Sequence, residues 1–249
     1  PAVSNGFVYV GSDDGNLYAI DAMTGMERWR FETGDIVLSS PAVSDGFVYV
    51  GSRVNKVYSI DAGTGKEKWR YETGSNVLSS LAVAKGVVYV GSDDGNLYAI
   101  DAGTGKEQWQ FVTGGGVSSP PTVLDGVVYF GSADKNLYAV NAVTGKEKWR
   151  FQAGGMSTSP AVANGVVFAV FDINGLFAID VVAGRELWNF HPTPGGLAYS
   201  SPAIADGVVY FGDCQHNHLY AVDAKTGKEK WETGTKGWIR SSPAVSNDT

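Results

Sequence analysis

Residues 16–34 read NLYAIDAMTGMERWRFETG, and residues 96–114 read NLYAIDAGTGKEQWQFVTG. Working outward, Trp29, Trp69, Trp109, Trp149, Trp188 and Trp231 recur at intervals of 40, 40, 40, 39 and 43 residues. The stretch GSDDGNLYAIDA stands at both 11–22 and 91–102, and PAVSN occupies both 1–5 and 243–247. A period near forty is the spacing of a propeller blade, a helical pair or a related solenoid unit.

Within each copy the apolar runs are short and rich in Val, Tyr, Phe and Ile, as in FVYVGS and NLYAIDA. Asn5-Gly6, Asp45-Gly46, Asp125-Gly126, Asp14-Gly15, Thr24-Gly25 and Thr64-Gly65 separate them. Short β-rich runs divided by such dipeptides predict hairpins rather than helices. Four strands per copy follow: an inner strand seeded by PAVS, a second by FVYVGS, a third by LYAIDA and an outer one by ERWRFE. The fold class is therefore all-β, a β-propeller of four-stranded antiparallel blades. The second and third strands are apolar on both sides, as blades stacked face to face require. On the outer strand Lys66, Lys68, Arg70 and Glu72 alternate with Trp69 and Tyr71, and lysine on an exposed edge discourages pairing with another chain.

The stretch Ala19-Ile20-Asp21-Ala22-Met23-Thr24-Gly25-Met26-Glu27-Arg28-Trp29 resembles the tryptophan-docking motif A-x-D-x-x-T-G-x-E-x-W of pyrroloquinoline-quinone-type (quinoprotein-like) propellers. It recurs six times, with Ser59 for the alanine in one copy, Asn141 for the aspartate in another and Ala183 for the threonine in a third. The resemblance implies a structural role for Trp29, Trp69, Trp109, Trp149, Trp188 and Trp231, each packing on the Thr-Gly turn of the adjacent motif. It implies pyrroloquinoline quinone only for members that oxidise alcohols or sugars. Those carry calcium or a lanthanide, a catalytic aspartate, often a disulfide between adjacent cysteines, and a longer chain. The single cysteine, Cys214, excludes that disulfide, and no acidic residue stands out from the repeat as a base. The chain looks more like the non-catalytic relatives: the outer-membrane assembly lipoprotein, and cell-surface or sensor propellers. No catalytic residue and no cofactor are assigned. A quinone- or metal-dependent oxidoreductase-like propeller is the alternative.

The inner-strand seed recurs at Pro1, Pro41, Leu81, Pro121, Pro160, Pro202 and Pro243, seven seeds for six complete blades. One propeller domain over 1–249 is expected, with blades near 1–38, 39–78, 79–117, 118–157, 158–199 and 200–240. Residues 241–249 would then supply an extra inner strand that closes a six-bladed ring on the first blade, displacing the N-terminal copy. A fragment of a seven- or eight-bladed propeller is the other reading. The sixth copy departs from the repeat: Trp231-Glu232-Thr233-Gly234 stands for WRFETG, reading as a loss of two residues followed by a longer linker.

The net charge of −7, with no basic stripe, argues against nucleic acid and against anionic membrane surfaces. No apolar run reaches eighteen residues, so no membrane insertion is expected in this segment. The chain opens at Pro1 rather than on methionine, which reads as processing or trimming that removed address information. By family resemblance the expected location is extracytoplasmic, periplasmic or at the cell surface.

The loops joining second to third strands, and the linkers to the next blade, lie at one end of an up-down blade, and there the copies diverge. Loop variation on a rigid scaffold is a common route to binding specificity. Tyr199, Trp238 and Arg240, with Arg53, are the candidate partner contacts, since Tyr, Trp and Arg are enriched at interaction hot spots. The expected partner is a protein or a surface polymer. Solvated, drifting loops are the plainer reading. Asp13-Asp14 and Asp93-Asp94 do not have the spacing of a calcium loop and read as hairpin turns. No metal site is assigned, although Cys214, His216 and His218 would fall on one side of an extended strand and carry zinc- or copper-type ligands. The serine pairs Ser39-Ser40, Ser79-Ser80, Ser200-Ser201 and Ser241-Ser242 are expected to line an axial tunnel with hydroxyls.

Overall fold

The computed structural model describes residues 1–155, 158–172, 174–192 and 200–245. All its regular structure is β: six four-stranded antiparallel sheets, each with its strands in sequence order. No helix among the described residues is long and apolar enough to cross a membrane. The first blade runs Ala2–Ser4, Phe7–Gly11, Asn16–Asp21 and Glu27–Glu32, the second Ala42–Ser44, Phe47–Ser52, Lys56–Asp61 and Glu67–Glu72. The third comprises Ala82–Ala84, Val87–Gly91, Asn96–Asp101 and Glu107–Val112, the fourth Thr122–Leu124, Val127–Gly131, Asn136–Asn141 and Glu147–Gln152. The fifth comprises Ala161–Ala163, Val166–Phe171, Gly175–Asp180 and Glu186–Phe190, the sixth Ala203–Ala205, Val208–Gly212, His218–Asp223 and Glu229–Gly234. The strands gather into two compact units, Pro1–Val123 with Ala142–Lys146, and Leu124–Asn141 with Glu147–Thr249.

Each inner-to-second connection is a two-residue turn with both residues at positive φ, from Asn5 (49°) and Gly6 (78°) through Asp206 (48°) and Gly207 (73°). That geometry is the type I′ hairpin, which Asn-Gly and Asp-Gly favour. Lys85-Gly86 makes the same turn without a favourable first residue, since Lys85 sits at φ 50°.

The docking motif explains itself atom by atom. Asp21 Oδ1 accepts hydrogen bonds from the Met23 and Thr24 amides at 3.0 and 2.8 Å and from the Thr24 hydroxyl at 2.9 Å. Asp61, Asp101 and Asp223 repeat this with Thr64, Thr104 and Thr226, while Asp180 keeps the amides of Val182 and Ala183 only. The threonine bonds hold the Asp61, Asp101 and Asp223 carboxyls below the usual carboxylate range. In every blade the register slips by one residue just after the pair formed by the motif's first residue and the tryptophan, as between Ala19 and Ile20 opposite Trp29 and Glu27. Such bulges re-aim a side chain. Here the bulge follows a small residue facing the indole.

Five tryptophans then reach the next motif. The indole N–H of Trp29, Trp69, Trp109, Trp149 and Trp188 donates to the carbonyls of Ala62, Ala102, Ala142, Val181 and Ala224 at 2.9–3.2 Å. A methyl added at Gly65, Gly105, Gly145, Gly184 or Gly227 would lie 2.5–2.8 Å from the indole covering it. The motif glycine therefore serves both the positive φ and the close approach. Each of the six tryptophans also packs against an aromatic ring of its own blade's second strand at 5.8–5.9 Å. Trp231 is the exception in its surroundings: it is 43% exposed, and the first blade's Gly25 has no atom near its added methyl.

Inside each unit the cores are interleaved blade faces. Tyr9 and Leu17 of the first blade meet Val48, Val50, Tyr58 and Ile60 of the second, and Phe168, Val170 and Leu176 of the fifth meet Val209, Phe211 and Tyr220 of the sixth. Fully burying one such side chain is worth about 1.5–3 kcal/mol.

Three sequence expectations need correction. The first blade's inner strand is Ala2–Ser4, paired Ala2↔Tyr9, Val3↔Val8 and Ser4↔Phe7, so the N-terminal copy is not displaced and residues 241–245 carry no strand. Instead the Ser201 amide donates to Ser242 Oγ at 3.0 Å, as Ser159 does to Ser201 and Ser40 to Ser80. Ser242 thus stands in the place of a following blade. The sixth outer strand is not shortened either. Glu229–Gly234 pairs fully with His218–Asp223, and Thr235 bonds Asn217 O as Thr33 bonds Gly15 O. Glu232-Thr233-Gly234 imitates the earlier Glu-Thr-Gly two residues early, and the linker from Thr235 to Ser241 equals that from Thr33 to Ser39. The first serines of three pairs, Ser39, Ser79 and Ser200, are buried rather than lining a tunnel, while Ser241 is exposed; Ser39 and Ser79 each bridge the amide and carbonyl of Gly51 and Gly91, tying linker to second strand.

Candidate functional site

The linkers and second-to-third loops form a connected layer within each unit. A linker residue plugs against the glycine ending the second strand: Val37 on Gly11, Val77 on Gly51, Val117 on Gly91 and Ile239 on Gly212. The plug's amide bonds the loop, as Val37 to Ser12 O at 3.1 Å and Ile239 to Asp213 O at 3.2 Å. The preceding carbonyl then serves the next blade, with the Arg53 amide on Ile36 O and the Asp93 amide on Asn76 O.

In the sixth blade this device displays Trp238 and Arg240 on either side of Ile239. Trp238 is 64% exposed, and the Arg240 guanidinium lies over its ring at 4.8 Å from the centroid. A stacked indole and guanidinium attract through the ring quadrupole and hold each other's rotamers. The guanidinium edge keeps its N–H fork for a carboxylate or carbonyl. Ile239 is also fixed from below, because the Cys214 thiol donates to its carbonyl at 3.3 Å.

The loop beneath is built on Asp213, which is fully buried. Its Oδ1 accepts from the amides of His216 and His218 at 2.8 and 3.4 Å, and its Oδ2 lies 3.2 Å from both His216 Nδ1 and the Tyr220 hydroxyl. The same carboxylate–tyrosine pair organises other blades, as Asp14 with Tyr18 at 2.5 Å and Asp94 with Tyr98 at 2.7 Å. Tyr18 and neighbouring donors pull Asp14 down to about 2. These arrangements serve loop structure. The Cys214 thiol, the His216 ring and the His218 ring take separate partners: Ile239 O, Asp213 and the Tyr220 ring. Among the described residues no group of three His, Cys, Asp or Glu side chains is placed to hold a metal ion.

Of the other partner candidates, Arg53 is exposed on the second blade's loop, and its charge acts on the Asp93 carboxyl, opposing the upward push of burial. Tyr199 lies outside the described residues. Asp172, in the fifth blade's loop, went unnoticed in the sequence. Its amide bonds Gly155 O at 3.0 Å, its Oδ1 is buried without a hydrogen bond among the described residues, and burial pushes its carboxyl up. Only its position in the divergent FDING loop set it apart.

Six four-stranded blades joined by indole-on-glycine contacts define a β-propeller of the pyrroloquinoline-quinone repeat type. The profile of the family described as outer membrane protein assembly factor BamB matches residues 1–80, 74–211, 112–237 and 193–249, and the chain belongs to that family. Among solved structures it is similar to BamB from Moraxella catarrhalis, at 20% identity over 95% of this chain and 75% of that one, with a TM-score of 0.80. It is also similar to the computationally designed Ika8 protein, at 17% identity over 99% of this chain and 90% of that one, with a TM-score of 0.61. No curated protein sequence matches it.

Proposed function

We propose that this chain is a non-enzymatic recognition propeller working outside the cytoplasm, where it docks a protein of outer-membrane assembly. Membership of the assembly-factor family supports the setting. The observation that carries the reading is the Trp238–Arg240 pair, exposed on a linker that Ile239 and Cys214 anchor. Aromatic and arginine side chains held in place before binding lose little entropy on contact, which is what makes them hot spots. The partner surface offers an acidic or carbonyl-rich rim to Arg240 and an apolar seat to the indole. Arg53 contributes less, since its charge already faces Asp93. The module works without quinone or metal.

The test is binding of the intact protein to purified outer-membrane assembly components, measured by interferometry. Trp238→Ala and Arg240→Ala should each weaken binding by more than about tenfold, and Arg53→Ala by less than about threefold. Unchanged affinity in both linker variants contradicts the proposal. So does saturable uptake of pyrroloquinoline quinone with calcium accompanied by dye reduction from alcohols or sugars.

A further inference from the structure

In each blade the inner-to-second hairpin and the docking turn share one end, opposite the linker. At that end a pocket of about 410 Å³ opens between the fifth and sixth blades. Val166, Phe168 and Ile204 give it an apolar wall, Ala224 lines it from the docking turn, and the exposed Asp206 and Lys225 stand at its rim. A cavity of a few hundred Å³ with an apolar wall and a few polar groups has the build of a small-molecule site. All of these residues belong to the second compact unit, and the wall residues lie in the core that the two blades share.

Two departures from the repeat meet in this pocket. Tyr9, Tyr49, Tyr89, Tyr129 and Tyr210 hold the third position of the second strand in the other copies, whereas the fifth copy has Phe168. At the first three interfaces the tyrosine hydroxyl and the indole N–H donate to one carbonyl. Tyr9 and Trp29 share Ala62 O, Tyr49 and Trp69 share Ala102 O, and Tyr89 and Trp109 share Ala142 O, with hydroxyl distances of 3.0–3.4 Å. Ala224 O accepts from the Trp188 indole at 3.2 Å and, among the described residues, from no second donor. Phe168 packs on Trp188 at 5.8 Å as the tyrosines pack on their tryptophans, so the ring keeps its place and only the hydroxyl is missing. A carbonyl oxygen has two lone pairs, and the second one here is left for a donor from the pocket. Lys225 is the other departure, since its position holds Met23, Gly63, Gly103, Val143 and Val182 elsewhere. Asp223 Oδ1 is taken by the Lys225 and Thr226 amides and the Thr226 hydroxyl, and its Oδ2 lies 3.8 Å from Lys230. The Lys225 ammonium and the Asp206 carboxylate have no ion-pair partner among the described residues.

We propose that the pocket between the fifth and sixth blades binds a free amino acid of the tyrosine type. The ring lies on Val166, Phe168 and Ile204, and its hydroxyl supplies to Ala224 O the hydrogen bond that Phe168 cannot make. The charged head group sits at the rim, its carboxylate on Lys225 and its ammonium on Asp206. Two acidic and two basic side chains line the pocket, Asp206 and Asp223 against Lys225 and Lys230, a balance that suits a zwitterion better than an ion of either sign. A tyrosine inside a peptide chain carries neither charge of the head group and leaves the rim unmatched. The site is separate from Trp238 and Arg240, which stand at the other end of the sixth blade.

The experiment is saturation-transfer NMR of the whole chain titrated with L-tyrosine, L-phenylalanine and N-acetyl-L-tyrosinamide. L-Tyrosine should bind saturably. L-Phenylalanine, without the hydroxyl, should bind at least about threefold more weakly, and N-acetyl-L-tyrosinamide, without the charges, at least about tenfold. Phe168→Tyr installs the residue of the other five copies, so it should raise the melting temperature while reducing L-tyrosine to the affinity of L-phenylalanine. Lys225→Val installs the residue of the fourth and fifth copies at an exposed position and should weaken L-tyrosine by at least about fivefold. No saturable binding of L-tyrosine, or equal binding of L-phenylalanine, would overturn the proposal. So would equal binding of N-acetyl-L-tyrosinamide, which would mark a seat for a peptide side chain, or unchanged L-tyrosine affinity in either variant. None of these outcomes bears on Trp238 and Arg240, whose binding is read separately.

Discussion

At the Trp69 position an indole fills the space over Gly105, donates to Ala102 O at 2.9 Å and is 8% exposed. Truncation there leaves a cavity and an unpaired carbonyl, so Trp69→Ala should cost about 3–5 kcal/mol in urea unfolding. Trp231→Ala, in the same motif but uncovered, should cost less than about 1 kcal/mol. Equal losses at the two sites would contradict the docking scheme. Protonation offers a second residue-scale test. Hydrogen bonds from Thr64, Thr104 and Thr226 lower the folded carboxyls of Asp61, Asp101 and Asp223. Groups lowered in the folded state add stability above their unfolded value of about 3.9, and that stability is lost as pH falls through the folded value. Stability should therefore drop below about pH 4, and Asp61→Asn should flatten the slope there. Asp172 has the opposite sign, because burial raises it and its charged form weakens the fold as pH rises. Asp172→Asn should raise the melting temperature at neutral pH and leave it unchanged in acid. The aspartates of the motif were legible in the sequence because they recur. Asp172 was not, because its burial comes from packing around a loop that fits no repeat.

Among elements, the turns separate local from tertiary demands. Gly105→Ala meets both, a positive φ of 73° and an indole 2.7 Å from the new methyl, whereas Gly25→Ala meets only the first at φ 70°. The expected thermal-unfolding losses are more than about 2 kcal/mol and about 1 kcal/mol respectively. Lys85 occupies a hairpin position held elsewhere by Asn or Asp at similar φ, so Lys85→Asn should stabilise by about 0.5–1 kcal/mol. Strand number, strand type and turn placement were all readable from period, alternation and dipeptides. The sixth outer strand was misread for a definite reason. Glu232-Thr233-Gly234 mimics the end of earlier outer strands, and only the pairing of Trp231 with Ala221 and of Thr233 with Leu219 sets the true register. The C-terminal seed misled in the same way. Identity of PAVSN at both ends names the type of slot, while hydrogen bonds such as Ser201 to Ser242 say which slot is taken.

For the whole molecule, the repeat makes a scaffold, and the recognition we propose falls to its exceptions. Trp238 and Arg240 were legible as candidates because they break the pattern at positions held by Ile36 and Leu38 in the first linker. Their stacking and the Ile239 anchor were not, since both depend on the Asp213 loop folding beneath them. The central claim is that five indoles are locked between blades while Trp231 and Trp238 are exposed. Hydrogen exchange of the seven indole N–H groups, followed by NMR on the dilute protein, tests that claim most directly. Slow exchange is expected at Trp29, Trp69, Trp109, Trp149 and Trp188, and fast exchange at Trp231 and Trp238. Protection of Trp231 equal to that of Trp69, or fast exchange at all seven, would contradict it.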